Sequence, residues 1–135
     1  MSTIKIVDNS WINSSAVGKT GEDTACLFLV KHGHTILDRN FRKTYGEIDI
    51  VSEKNRVIHF VEVKSVSRLE EGNYMPEDNV HYKKRLRLAR TIRAYLSEKK
   101  IPRDKEFVVD VIAIFLDFKA RKARIRFTEN IILLG

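Results

Sequence analysis

The sequence predicts an α/β domain built on one mixed sheet flanked by helices, and three observations carry that reading. Residues 46–64, GEIDIVSEKNRVIHFVEVK, read as two strands joined by a tight turn. The run FVVDVIAIFL at 107–116 is continuous and β-branched, as expected of a strand buried on both faces. Two segments of helical periodicity stand on either side of the first strand cluster.

Taken in order, residues 1–14 read as an irregular N-terminal arm with an extended piece at 4–7, and 15–135 as a single domain. Ser14 or Ser15 can cap a helix that runs to about Lys31 and stops before Gly33. Residues 34–40 read as a strand and 41–46, FRKTYG, as a basic link. A strand at 47–52, a turn at 53–55 and a strand at 56–64 follow. The polar stretch 67–79 is a loop, and Asp78 or Asn79 can cap a long helix to about Lys99. After the buried strand, 123–134 supplies a final extended segment. The order is α-β-β-β-α-β(β), a meander and then a helical crossover, which implies a mixed sheet.

Composition narrows the class. A chain of 135 residues with 43% hydrophobic content can bury a core as one domain. The net charge of +7 favours polyanionic partners, nucleic acid foremost. Cys26 is the only cysteine, so an intramolecular disulfide and a thiolate zinc cluster are excluded and a reducing, cytoplasmic setting is expected. MSTIKIVDNSWINSS has no basic region leading into an apolar core, so no signal peptide is expected. The longest apolar run is interrupted by Asp110 and falls short of the roughly 20 residues that span a bilayer. No membrane association is expected.

The charges inside the strands carry the chemistry. Side chains of a strand alternate faces, so Ile58, Phe60, Glu62 and Lys64 share one face, opposite Val57, His59, Val61 and Val63. Glu47, Asp49 and Val51 lie together, opposite Ile48 and Ile50. Pairing across the turn brings Asp49 near Glu62, with Lys64 just beyond. Close carboxylates raise each other's pKa unless a cation sits between them, and Mg²⁺ favours such hard oxygen ligands. A neighbouring lysine can orient the attacking water. Spacing alone also permits a plainer reading, with Glu62 and Lys64 at a solvated strand end and Asp49 paired to an arginine. On the first helix, Glu22 shares a stripe with Ala25, Cys26 and Leu29. It needs a partner there, either the Asp49/Glu62 edge or the helix N-terminal dipole.

The run GEDTACLFLVKHGHTILDRNFRKTYGEIDIVSEKNRVIHFVEVKS, then VHYKKRLRLARTIRAYL and VDVIAI, resembles the bacterial YraN family. That family is similar to archaeal Holliday-junction resolvases and to the PD-(D/E)xK restriction-endonuclease-like superfamily. The resemblance implies a restriction-endonuclease-like fold and a metal-dependent nuclease acting on DNA, with branched or irregular structures as substrates. It implies Mg²⁺ or Mn²⁺ held by Asp49, Glu62, the helical Glu22 and the Val63 main-chain carbonyl, with Lys64 as the lysine and Glu47 at the rim. A homodimer is implied for symmetric cutting of paired strands. The chain departs from the pattern in three places: Ile48 replaces the superfamily's proline, Ser65-Val66-Ser67 follows the lysine, and the arginine before Asp110 is absent. These bear on substrate contacts more than on the metal.

A basic surface accompanies the site. Lys83, Arg87 and Arg90 follow helical spacing opposite Leu88, Ile92 and Tyr95, and Arg39, Arg42 and Lys43 precede GEID. These six are the expected nucleic-acid contacts, although a solvated helix face has the same pattern. His32, His34, His59 and His81 lack metal-ligand spacing, and Asp110 reads as a structural hydrogen-bonding acid. The alternatives to a nuclease are a non-cleaving nucleic-acid-binding module and a scaffold that binds an acidic partner.

Overall fold

The computed structural model describes residues 2–7, 17–67, 82–117 and 122–131. Its elements are β1 (Ser2–Val7), α1 (Val17–Lys31), β2 (Thr35–Lys43), β3 (Gly46–Lys54), β4 (Val57–Ser67), α2 (Tyr82–Glu98), β5 (Phe107–Asp117) and β6 (Lys122–Thr128). The strands form one sheet in the order β1-β6-β5-β4-β3-β2. The β4/β5 pair is parallel and the other neighbours are antiparallel. The expected mixed sheet, helices and element order are therefore present.

Both faces of the sheet are covered, which explains why β5 is apolar throughout. On one face Ala25, Phe28 and Leu29 of α1 pack with Ile50, Val61, Ile112, Ile114, Ile125 and Phe127. On the other, Leu88, Ile92 and Tyr95 of α2 pack with Ile48, Val51, Ile58, Phe60 and Val109. Burying each of these large side chains stabilises the fold by about 1.5–3 kcal/mol. Asp110 is the polar exception within β5. Its carboxylate holds His59 Nδ1 at 2.5 Å and accepts the Asn130 N–H at 2.9 Å. It is a structural acid, as its setting in the sequence suggests.

Some boundaries differ from the sequence reading. The arm at 1–14 is not irregular throughout: Ser2–Val7 pairs with β6 from Ser2 opposite Phe127 to Val7 opposite Lys122. Its β-branched run gives it strand propensity, and β6 would otherwise be a bare edge. The proposed caps at Ser14, Ser15, Asp78 and Asn79, and the loop at 68–79, lie outside the described residues. The basic link is shorter than expected, because Phe41, Arg42 and Lys43 continue β2 opposite Ile48, Glu47 and Gly46. Between β3 and β4 the turn is the pair Asn55-Arg56, both left-handed at φ 53° and 69°. That is the twist-matched two-residue hairpin turn, so Glu53 and Lys54 remain in the strand.

Candidate active site

The β3/β4 ladder runs from Lys54 opposite Val57 to Ile50 opposite Val61, and there it stops. Asp49 and Glu62 would form the next pair. On its other side β3 pairs with β2 at Arg39–Ile50 and Phe41–Ile48 but skips Asn40 and Asp49. Asn40 is left-handed there, at φ 54°. Asp49 thus sits at a break in both ladders. Ile48 and Ile50, expected on one face, bury in opposite layers on either side of it.

At this break two carboxylates are buried near enough for the charge of Glu62 to act on Asp49. Asp49 is 8% exposed and Glu62 7%. Asp49 Oδ2 accepts the Val63 N–H at 2.8 Å. Burial, then the charge of Glu62, pushes the Asp49 carboxyl up to about 7; the Val63 hydrogen bond opposes this and Glu22 and Glu47 add to it.

Glu62 Oε1 carries two ammoniums, Lys84 Nζ at 2.7 Å and Lys64 Nζ at 3.3 Å. Burial pulls the Lys64 ammonium below its ordinary value, helped by Lys84 and opposed by Glu62. For Lys84, burial acts in the same direction, but the hydrogen bond to Glu62 and the charges of Glu62 and Asp49 raise it overall. Lys84 reaches the site because α2 lies close on the start of β3. A Cβ at Gly46 would stand 2.5 Å from Thr91 Oγ1 and 3.3 Å from the Arg87 carbonyl. Glycine is needed at that contact.

The other expected site residues fall in distinct places. Glu22 stands on α1 with Arg39 Nη2 3.9 Å from its carboxylate, and the same nitrogen holds Asp23 at 2.8 Å. Its charge is felt at Asp49, yet no three His, Cys, Asp or Glu side chains among the described residues gather around one point as a metal cluster. Glu47 pairs with Arg42 at 3.1 Å at the exposed rim. Lys43 pairs with Glu98 and sits over the Phe41 ring. Lys83, Arg87 and Arg90 are exposed on α2, opposite the buried Leu88, Ile92 and Tyr95. The Arg90 guanidinium lies 3.9 Å from the centre of the Tyr45 ring. Lys84 is an addition to the expected site. Its signal in the sequence is its position four residues before Leu88, on the apolar stripe of the helix.

The donor set suits a hard divalent cation. Mg²⁺ takes one or two carboxylates and completes its shell with water and phosphate oxygens. Asp49 and Glu62 supply carboxylate oxygen donors, and burial, with the charge of Glu62 behind it, holds the Asp49 carboxyl raised in the absence of a cation. In this arrangement Val63 contributes its N–H to Asp49, and Glu22 is turned to Arg39.

Fold and site together define an α/β protein of restriction-endonuclease-like architecture with a carboxylate pair at the break in its sheet. The chain belongs to the uncharacterised protein family UPF0102, the YraN family, whose model matches residues 21–114. It is similar to a UPF0102 protein of Caldicellulosiruptor bescii, 37% identical over 88% of this chain and 98% of that one. A UPF0102 protein of Dictyoglomus turgidum is 34% identical over the same shares. One from Campylobacter hominis is 37% identical over 86% of this chain and 93% of its own. Among the described residues, no helix is long and apolar enough to cross a membrane.

Proposed function

We propose that this protein is a metal-dependent nuclease that hydrolyses phosphodiester bonds in DNA, with branched or irregular structures as its substrate class. The observation that carries the proposal is the buried Asp49/Glu62 pair with Lys64 and Lys84 on Glu62. Two carboxylates this poorly solvated cost stability unless a cation compensates them, and a catalytic site gives a reason for such an arrangement.

Asp49 and Glu62 would hold Mg²⁺ or Mn²⁺. When bound, the ion supplies Lewis-acid polarisation of the phosphate and a more acidic water. Lys64, on the same strand face as Glu62, orients the attacking water and offsets charge on the phosphate. Burial lowers its pKa, so the ammonium releases a proton more readily than a solvated lysine does. Glu22 supports the site through its field at Asp49, and Glu47 marks the rim. Lys83, Arg87 and Arg90 face solvent, where they can contact the backbone without reading sequence. A homodimer would present two such sites to paired strands.

The test is cleavage of labelled duplex, flap, single-stranded and four-way-junction DNA by wild type and Glu62→Ala, with Mg²⁺, Mn²⁺ or EDTA. Cutting by wild type that disappears with EDTA and in the folded variant is the expected result. Absence of cutting, with salt-sensitive DNA binding equal in both proteins, would leave a binding module on this fold.

A further inference from the structure

We propose that the Lys84 ammonium is an exchangeable counter-ion: it holds Glu62 before the divalent cation arrives, is displaced by it, and then contacts a substrate phosphate. This rests on the metal site proposed above and assigns a role to a residue outside the expected lysine position.

Three observations carry it. Lys84 and Lys64 share one oxygen, Glu62 Oε1, and Lys84 is the closer, at 2.7 Å against 3.3 Å. Oε1 has two lone pairs and already meets two ammoniums, so a dication bound through that oxygen takes one of the two places and one lysine must give way. The two differ in their freedom to do so. Lys64 is anchored in β4 opposite Ala113, two residues from Glu62 on the same strand face. Lys84 arrives from another element, near the start of α2, on a four-carbon stem. Its side chain is 32% exposed, whereas that of Glu62 is 8% exposed. The ammonium therefore has a way out toward water, and the carboxylate does not.

Where Lys84 would go follows from its helix. Lys83 and Arg87 flank it in sequence on the exposed side of α2, with Arg90 one turn further on. A phosphodiester backbone lying along that stripe would run beside Lys84, which stands in the first turn of the same helix. A released Lys84 would then meet the phosphate nearest the carboxylate pair. Before the metal binds, the same ammonium limits the repulsion between Asp49 and Glu62. The site thus exchanges one cation for another instead of standing bare.

The experiment measures Mn²⁺ binding by calorimetry at low salt, without DNA, for wild type, Lys84→Met, Lys84→Arg and Glu62→Gln, with thermal melts to verify folding. Removal of the competing charge should tighten Mn²⁺ binding in Lys84→Met by about tenfold, given the strength of a close ion pair in a partly buried site. Lys84→Arg should stay near wild type, and Glu62→Gln should lose the ion. With DNA, Lys84→Met should lower the log–log salt slope by about one phosphate contact. If wild type binds Mn²⁺ through Glu62 and Lys84→Met binds it no more tightly, the exchange is wrong and the metal site stands. If wild type shows no Glu62-dependent Mn²⁺ binding, the metal site falls and the exchange falls with it.

Discussion

Replacing Asp49 by asparagine should make the fold more stable above neutral pH. The Asp49 carboxyl is raised from 3.8 to about 7 by burial and by the neighbouring Glu62 charge. Each pKa unit corresponds to about 1.36 kcal/mol, so roughly three units set a ceiling of about 4 kcal/mol. The carboxyl binds its proton more tightly folded than unfolded. Ionising it therefore costs the native state nothing below about pH 4, a growing amount between about pH 4 and 7, and the full penalty above that. The asparagine side chain would keep an oxygen for the Val63 N–H but has to place its amide hydrogens, so the net gain at about pH 8–9 should be about 2–3 kcal/mol. For a domain of this size that is a rise in Tm of roughly 8–12 °C. Thermal melts of wild type and Asp49→Asn from about pH 4 to 9 in EDTA measure it. The two should melt together at the acid end and diverge as pH rises. A difference in Tm that does not change with pH would refute the picture of a buried, repelled carboxylate. Adding Mg²⁺ at about pH 8 should raise the wild type and leave the variant unmoved, because an ion that binds only the native state stabilises it by mass action.

Other perturbations test the frame around the site. Asp110→Ala should cost about 3–5 kcal/mol in urea unfolding, since it strands the buried His59 and frees the Asn130 N–H. His59→Leu combined with Asp110→Leu should lose less than the sum of the two single changes. Gly46→Ala should destabilise by about 1–3 kcal/mol, and Thr91→Ala should restore part of that, because the Thr91 hydroxyl is the first atom the new methyl meets. Changing Lys83, Arg87 and Arg90 together to alanine should weaken DNA binding and lower the salt slope by up to about 2.7, leaving the melting curve nearly unchanged. An unaltered slope would remove this face of α2 from the DNA path.

Much of this architecture is open to reading from local pattern. β5 can be read because a strand buried on both faces must be apolar throughout, and β3 and β4 because their charges interrupt a regular alternation. The proximity of Asp49 to Glu62 follows from counting outward from a tight turn. The turn itself falls later than the sequence suggests, because a left-handed Arg56 has no sequence signal as strong as glycine. The extent of β2 escapes local reading for a similar reason: a strand rich in basic residues looks like a link until a partner strand is there to pair it. Helical spacing places Glu22 on the face toward the two carboxylates but gives no distance. Arg39, contributed by another element, offers it a different partner.

The sequence by itself determined which side chains could do chemistry: a pair of acids and a lysine in strands, and a basic stripe on a helix. Alternation and helical periodicity are local properties, and they need no knowledge of the rest of the chain. Only the tertiary structure decided what stands around Asp49. The ladders break on both sides of it, Ile48 and Ile50 turn into opposite layers, and α2 lies close enough over Gly46 to bring Lys84 onto Glu62. Each of these depends on how segments apart in sequence meet. Their distances are set by how the two helices pack on the sheet, and no local pattern encodes that.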